Sequence, residues 1–246
     1  MDRLVYVAMS GAQETLRAQA ANNHNLANAN TNGFKADLSA FQTQNVVGSG
    51  LPSRAYASDD VVGWDSSSGS LDATGRDLDV AIKGSGWMAV QANDGTEAYT
   101  RAGDLHVDSS GALLTANGNP VLGDSGPITV PAYTSINIGT DGSVSIVPRG
   151  QTPMTISTVG RIKLVNPTTT QVARGSDGLF RSTTGSDLES DATVHMVSRT
   201  LESSNVNIAA TMVNMIELAR SYEVQVKAMK AAEDTGAEST KLLQSS

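Results

Sequence analysis

Apolar positions recur with helical spacing at both ends of the chain and alternate in the stretch between them. From residue 3 to 28, Val5, Met9, Ala12, Leu16, Gln19, Asn23 and Leu26 step by four and three residues in turn. That is the heptad seam of a packing helix. The seam is thin, and Gly11, Ala12, Ala18, Ala20 and Ala21 let a second backbone approach closely. Gly33 is the expected stop, because glycine tolerates the left-handed conformation after a helix end. Residues 204–244 repeat the pattern with Ile208, Met212, Met215, Ala219, Tyr222, Val226 and Met229, and weaker residues carry the register to Leu243. Ser204 or Asn205 is the expected cap. The methionines read as helix core or as a deformable groove, and either reading requires a partner helix.

The intervening chain lacks helical periodicity. Over residues 36–70, Gly48, Gly50, Pro52, Gly63 and the run Ser66–Ser70 predict an extended, turn-rich connector with room for two short strands. From 71 to 200 the pattern is β: Leu78, Val80 and Ile82 alternate with Asp79, Ala81 and Lys83. Turn signals recur at Asn93-Asp94-Gly95, Ser109-Ser110-Gly111, Asn117-Gly118, Asp141-Gly142 and Ser176-Asp177-Gly178. Each supplies the positive φ that tight hairpins need. The fold class is therefore mixed α and β: long N- and C-terminal helices that pair in a coiled-coil-like manner, plus a central all-β antiparallel domain, partly barrel-like or a sandwich. The segments are 1–35, 36–70, 71–200 and 201–246.

Composition narrows the function. Of 246 residues, 39% are hydrophobic, 4% aromatic and 17% charged, so large core side chains are scarce. The net charge of −8 argues against nucleic acid as a partner, since that needs a basic surface. Residues 1–35 carry Arg3, Arg17 and Lys35 against Asp2 and Glu14, and residues 201–246 carry six acids against four bases, so most of the negative charge lies in the middle. The ends are nearly neutral and free to associate, whereas the middle repels its copies. With no cysteine there is no disulfide or thiolate chemistry. No apolar run reaches membrane-spanning length. No basic region followed by an apolar core opens the chain, so no cleavable secretory signal is visible and export would need another route.

No catalytic, cofactor or metal constellation stands out. Asp104, His106 and Asp108 share a strand face but read as a solvated one, since a metal site needs further ligands placed by the fold. His24, among amides, reads as a hydrogen-bonding group. Lys83-Gly84-Ser85-Gly86 lacks the following helix and Lys-Ser/Thr of a phosphate loop and reads as a bend before Trp87. The richest polar feature is NNHNLANANTNGF, residues 22–34, with six asparagines. Asn22, Asn25, Asn28 and Asn32 fall on one helical face. Neutral amides both donate and accept without the desolvation cost of a buried charge, so this stripe is expected to clasp neighbouring chains.

Several segments together resemble the bacterial flagellar rod and hook proteins. Asn25-Leu26-Ala27-Asn28 with Thr31-Asn32-Gly33-Phe34-Lys35 is similar to that family's NLANxxTxGF[KR] motif. Leu201-Glu202-Ser203-Ser204-Asn205-Val206-Asn207, Met212-Val213-Asn214-Met215-Ile216 and Arg220-Ser221-Tyr222-Glu223 resemble its LExSNV…MVxMIxxxRxYE. Between them, Asp79–Trp87 and Tyr99–Leu105 resemble DxAIxGxGF and YTRxGxF. His24, Trp87 and Ala219 depart from the common Asn, Phe and Gln. The opening residues and the short middle region look most like the proximal rod members, with the distal rod members as competitors; a hook protein would carry a longer middle.

The resemblance implies a non-enzymatic structural subunit of the basal-body rod, without cofactor or small-molecule substrate. In such proteins the terminal helices pack together into an inner tube, the β domain lies outside, and the subunit passes unfolded through the flagellar type III export apparatus to assemble in the periplasm. Partners would be copies of itself and other rod subunits. The expected interface residues are Met9, Leu16, Asn22, Asn25, Leu26, Asn28, Gly33, Phe34, Ile208, Met212, Met215, Tyr222, Val226 and Met229. Outside the family, the same layout suits a secreted β-rich binding protein with a helical oligomerisation stalk.

Overall fold

The computed structural model describes residues 2–45, 55–151 and 155–244. The chain forms two compact units that do not follow chain order. One is built from Met1–Ala29, Ala36–Asp65 and Val206–Ser246, the other from Asn30–Lys35 and Ser66–Asn205. The molecule is mixed α and β, with two helices and antiparallel strand pairs throughout its described sheets.

The first unit holds helix α1 (Asp2–Ala27), helix α2 (Ile208–Gln244) and a hairpin of β1 (Asp37–Asn45) and β2 (Ala55–Trp64). At about 1.5 Å per residue, the 37 residues of α2 extend roughly 55 Å. Asn207 caps α2, its side-chain oxygen accepting from Ala210 N at 3.1 Å and its carbonyl from Thr211 N at 2.9 Å. The cap is thus Asn207, and not Ser204 or Asn205, which belong to the other unit. α1 stops without Gly33. Asn28 N donates to His24 O at 3.1 Å, and its side-chain amide donates to the same carbonyl at 3.0 Å, closing the last turn.

The stretch expected as a connector with two short strands forms one long hairpin. Asp37 to Asn45 pairs with Trp64 to Ala55, with a bulge between Leu38 and Ser39. The signal was weak because the apolar residues of DLSAFQTQN and AYASDDVVGW do not alternate strictly with polar ones, as at Ala40-Phe41 and Val61-Val62; pairing of the two strands with each other supplies what the pattern lacks. The turn signals Gly48, Gly50 and Pro52 lie outside the described residues.

The second unit is a β body. One sheet orders five strands as Leu164–Val165, Trp87–Gln91, Glu97–Thr100, Phe180–Ser182 and Val172–Arg174. Another joins Tyr133–Ile138, Ser143–Pro148 and Ser157–Arg161, and shorter pairs link Val80–Lys83 to His195–Ser198 and Leu71–Ala73 to Thr200–Glu202. Alternate residues of these strands, with Leu105 and Leu113 from the further pair Leu105–Val107 and Leu113–Thr115, enter one core that includes Val80, Met88, Val90, Ile138, Val144, Ile146 and Met196. Most are β-branched or aliphatic, which lets a body poor in aromatics still fill its interior. Gly103 permits a close crossing, since an added Cβ would lie 1.7 Å from Val80 O.

The expected turns form where the sequence places them. Gly95, Gly111, Gly118, Gly142 and Gly178 all have positive φ, between 79° and 87°. Aspartates organise several of them. Asp94, Asp108, Asp141 and Asp191 each accept from the backbone N–H and the hydroxyl of the residue two positions on: Thr96, Ser110, Ser143 and Thr193. Those hydroxyl bonds, seconded by the amide bonds, hold the four carboxyls below the usual carboxylate range. A depressed folded-state pKa gives stability that is present above the unfolded value of about 4 and lost as pH falls through the folded values. Denaturation midpoints of the body should therefore decline on acidification below about pH 4. Asp108→Asn with Asp141→Asn, which keep an acceptor but remove the titration, should flatten that decline.

Candidate assembly surface and its anchor

The helix seams are rotated from those the apolar pattern predicts. α1 buries Ala8, Ala12, Thr15, Ala18 and Asn22, while Met9, Leu16 and Asn23 are exposed. α2 packs mainly on α1. Its covered line is Thr211, Met215, Leu218, Tyr222, Gln225, Met229 and Ala232, all buried or half-buried in strict four-three steps. The contacts run antiparallel: Asn22 Nδ2 donates to Thr211 O at 2.9 Å, and Gly11 lies against Gln225, whose side chain is 3.0 Å from where a Cβ would be. Small residues won the inner line of α1 because they let the backbones come close; larger apolar residues were left outside.

Of the expected interface residues, Met9, Leu16, Ile208, Met212 and Val226 are exposed. Leu16 is 47% and Met212 51% exposed, and they are joined by Tyr6, Val213, Ile216 and Val224, which the heptad reading missed. A period-seven template cannot see them, since they lie beside its seam. A folded unit leaving this many large apolar side chains on two helices has surface to cover. Met215, Tyr222 and Met229 lie instead on the line of α2 that faces α1, and Leu26 is half-buried.

The asparagines act within the chain. Asn22 is buried and bonded to Thr211 O. The Asn25 side chain donates to Asp37 O at 2.9 Å and accepts from Asp37 N at 2.7 Å, pairing with the start of β1 as a strand would. Beside it His24 Nδ1 is 2.5 Å from Asp37 Oδ2. Asn28 closes the helix end. The stripe was expected to clasp neighbouring chains; within the chain Asn22, Asn25 and Asn28 bond the backbone groups of Thr211, Asp37 and His24.

Gly33 and Phe34 lie in the β body, where they form part of a closed ring of contacts. Gly33 has φ 68°, and an added Cβ would be 2.3 Å from Arg101 C, so only glycine fits. Gly33 N donates to Glu202 O at 2.8 Å, and Asn205 N donates to Phe34 O at 3.3 Å. Next to them Lys35 Nζ, fully buried, donates to Glu202 Oε1 and to Ser67 O, both at 2.7 Å. Glu202 Oε1 also accepts from Gly69 N at 3.0 Å, and its Oε2 lies 3.3 Å from Arg101 Nε. The Arg101 guanidinium is 5.8 Å from the Trp87 ring, and Trp87 meets Phe180 at 4.4 Å between centroids. Arg174 then lies between Phe180, at 4.9 Å, and Phe34, at 4.5 Å, and donates to Lys35 O. Burial pushes the pKa of Arg101 down, and the Glu202 charge opposes that shift.

Sequence reading did not nominate Lys35, Arg101, Arg174, Phe180 or Glu202 as functional residues. Three of them sit in the quoted segments TNGFK, YTRAG and LESSN, and a charged residue inside each was the available signal. The ring's energetics turn on removal rather than formation. A buried ion pair adds little net stability, but losing one partner leaves an uncompensated charge in the interior. Glu202→Gln strands Lys35 and Arg101 together and should destabilise the body by about 3–5 kcal/mol, read from urea denaturation.

Residues 81–146 match the family described as flagellar hook protein FlgE/F/G D1 domain, and residues 197–242 match the flagellar basal body rod FlgEFG protein C-terminal family. The flagellar basal-body rod protein FlgF of Escherichia coli (strain K12) is 43% identical over 249 aligned residues, covering 99% of both chains. FlgF of Salmonella typhimurium is 41% identical with the same coverage, and FlgG of Bacillus subtilis (strain 168) is 30% identical over 95% of this chain and 96% of its own. The likeness runs through helices and body alike, which favours a rod subunit over a stalked binding protein. The chain belongs to the flagellar basal-body rod proteins and within them is most like FlgF.

Proposed function

We propose that the exposed apolar faces of α1 and α2 are the surfaces through which this structural rod subunit packs against its neighbours. The observation that carries this is the set of large uncovered side chains: Tyr6, Met9 and Leu16 on one helix, and Ile208, Met212, Val213, Ile216, Val224 and Val226 on the other. Each subunit meets the next by a head-to-tail contact that does not close, which generates an open helical tube. The neighbours are further copies and other rod subunits, and the tube carries motor torque toward the hook. Met215, Tyr222 and Met229 serve this indirectly by fixing α2 on α1. Asn22, Asn25, Leu26 and Asn28 serve it by setting the end of α1.

Export through the flagellar type III apparatus and assembly in the periplasm follow from the same reading. A thin helix seam supports it, since small-residue packing gives up little when a chain is kept unfolded for passage. In the described residues no helix is long and apolar enough to cross a membrane. Neither the acidic charge nor the exposed surface suits nucleic acid, and no small-molecule substrate enters the mechanism.

Leu16→Asp and Met212→Asp change exposed positions, so the purified chain should keep its stability to within about 0.5–1 kcal/mol. In cells each should reduce swimming and shorten or abolish rods, and the pair should abolish both. Normal rods in a motile strain carrying both changes would remove this face from the interface.

A further inference from the structure

Three segments far apart in sequence meet in the β body: Asn30–Lys35, Ser67–Ser70 and Glu202–Asn205. We propose that the first is an obligatory plug of the body, and that the ring through Lys35, Glu202, Arg101, Trp87, Phe180, Arg174 and Phe34 is a fold-completion latch. The body cannot close until the plug and Glu202, 167 positions after Lys35, have both arrived.

Without the plug, the buried Glu202 carboxylate loses the Lys35 ammonium, its backbone carbonyl loses Gly33 N, and Arg174 loses both the Phe34 face and Lys35 O. Without Glu202, Lys35 and Arg101 are two like charges in the interior. Either half alone is therefore penalised, and the pair is tolerated only together, which couples the two segments instead of merely adding their contacts. Further bonds tie in the third strand of the junction: Ser203 N donates to Ser70 O at 2.8 Å, Ser70 N to Ser203 Oγ at 3.1 Å and Asn205 Nδ2 to Ser67 O at 3.1 Å. A simple linker would not bury a lysine completely or place its glycine where one methyl group collides with the backbone of Arg101.

The consequence is that an incompletely delivered chain holds an unfinished body. The latch itself stands apart from the assembly reading; only its use, keeping the chain unfolded until export is nearly complete, rests on that reading.

Native-state hydrogen exchange on the full chain tests the latch directly. The Gly33 and Asn205 amides report docking of the plug, and the Ala89 and Val121 amides, bonded to Lys163 O and Leu113 O, report the body core. An obligatory plug opens only with the body, so protection of the two sets should agree within about tenfold and share one denaturant dependence. Plug amides exchanging about 1,000-fold faster, with little denaturant dependence, would overturn the latch and make 30–35 a detachable linker. Two variants expel the plug by different means. Gly33→Ala does so by collision with charges intact, and Lys35→Met by taking the ammonium from Glu202 Oε1, which leaves that buried oxygen only the Gly69 amide. Each should lower protection of Ala89 and Val121 together with the plug, by about 100-fold for Lys35→Met. Loss confined to the plug amides would also overturn the proposal. Should a variant fail to fold, the wild-type comparison decides alone.

Discussion

The Glu202 carboxylate is the point on which the β body turns. It is completely buried, and a buried carboxylate is tolerable only when both oxygens are compensated. Lys35 and Gly69 N serve one oxygen and Arg101 faces the other, so three segments of chain are drawn to one place. Hydrophobic burial makes the body compact, but it is non-directional and would accept many arrangements of short strands. The charges accept one, because a shift of any segment by a single residue would strand an ion.

Aromatic scarcity makes this economy clearer. The chain has three Phe and two Trp, and Phe34, Phe180 and Trp87 all stand in the same ring, interleaved with arginines. Cation–aromatic contacts contribute about 0.5–1 kcal/mol each at exposed sites and more where the charge is desolvated. Their value lies in geometry: a planar guanidinium between two rings fixes orientation as well as distance. Aliphatic strands fill volume, and the rare large rings are spent where the backbone of residues 30–35 and 202–205 must be held.

The helical unit follows the opposite logic. Its inner line on α1 is Ala8, Gly11, Thr15, Ala18 and Asn22, residues that contribute little burial each but allow close backbones. The larger apolar side chains stay uncovered. A helix pair so arranged leaves an apolar surface open, which is the surface proposed above to meet neighbouring subunits. The asparagines at its end bond backbone groups of α2 and β1, Asn22 to Thr211 O and Asn25 to both Asp37 O and Asp37 N.

Sequence alone determined what depends on local chemistry. Terminal helices, the β middle, its glycine turns and the bend at Gly84 and Gly86 were all legible, since periodicity and positive-φ demand act over a few residues. Family membership was legible in quoted motifs. The long hairpin was half hidden by the irregular alternation of its strands. What tertiary structure decided was which face of each helix turned inward, which backbone groups of the chain the amides bond, and that Lys35, Arg101 and Glu202 form one cluster. Those outcomes are set by close approach and by compensation of buried charge between residues as much as 167 positions apart, and no local pattern carries information about a partner at that distance.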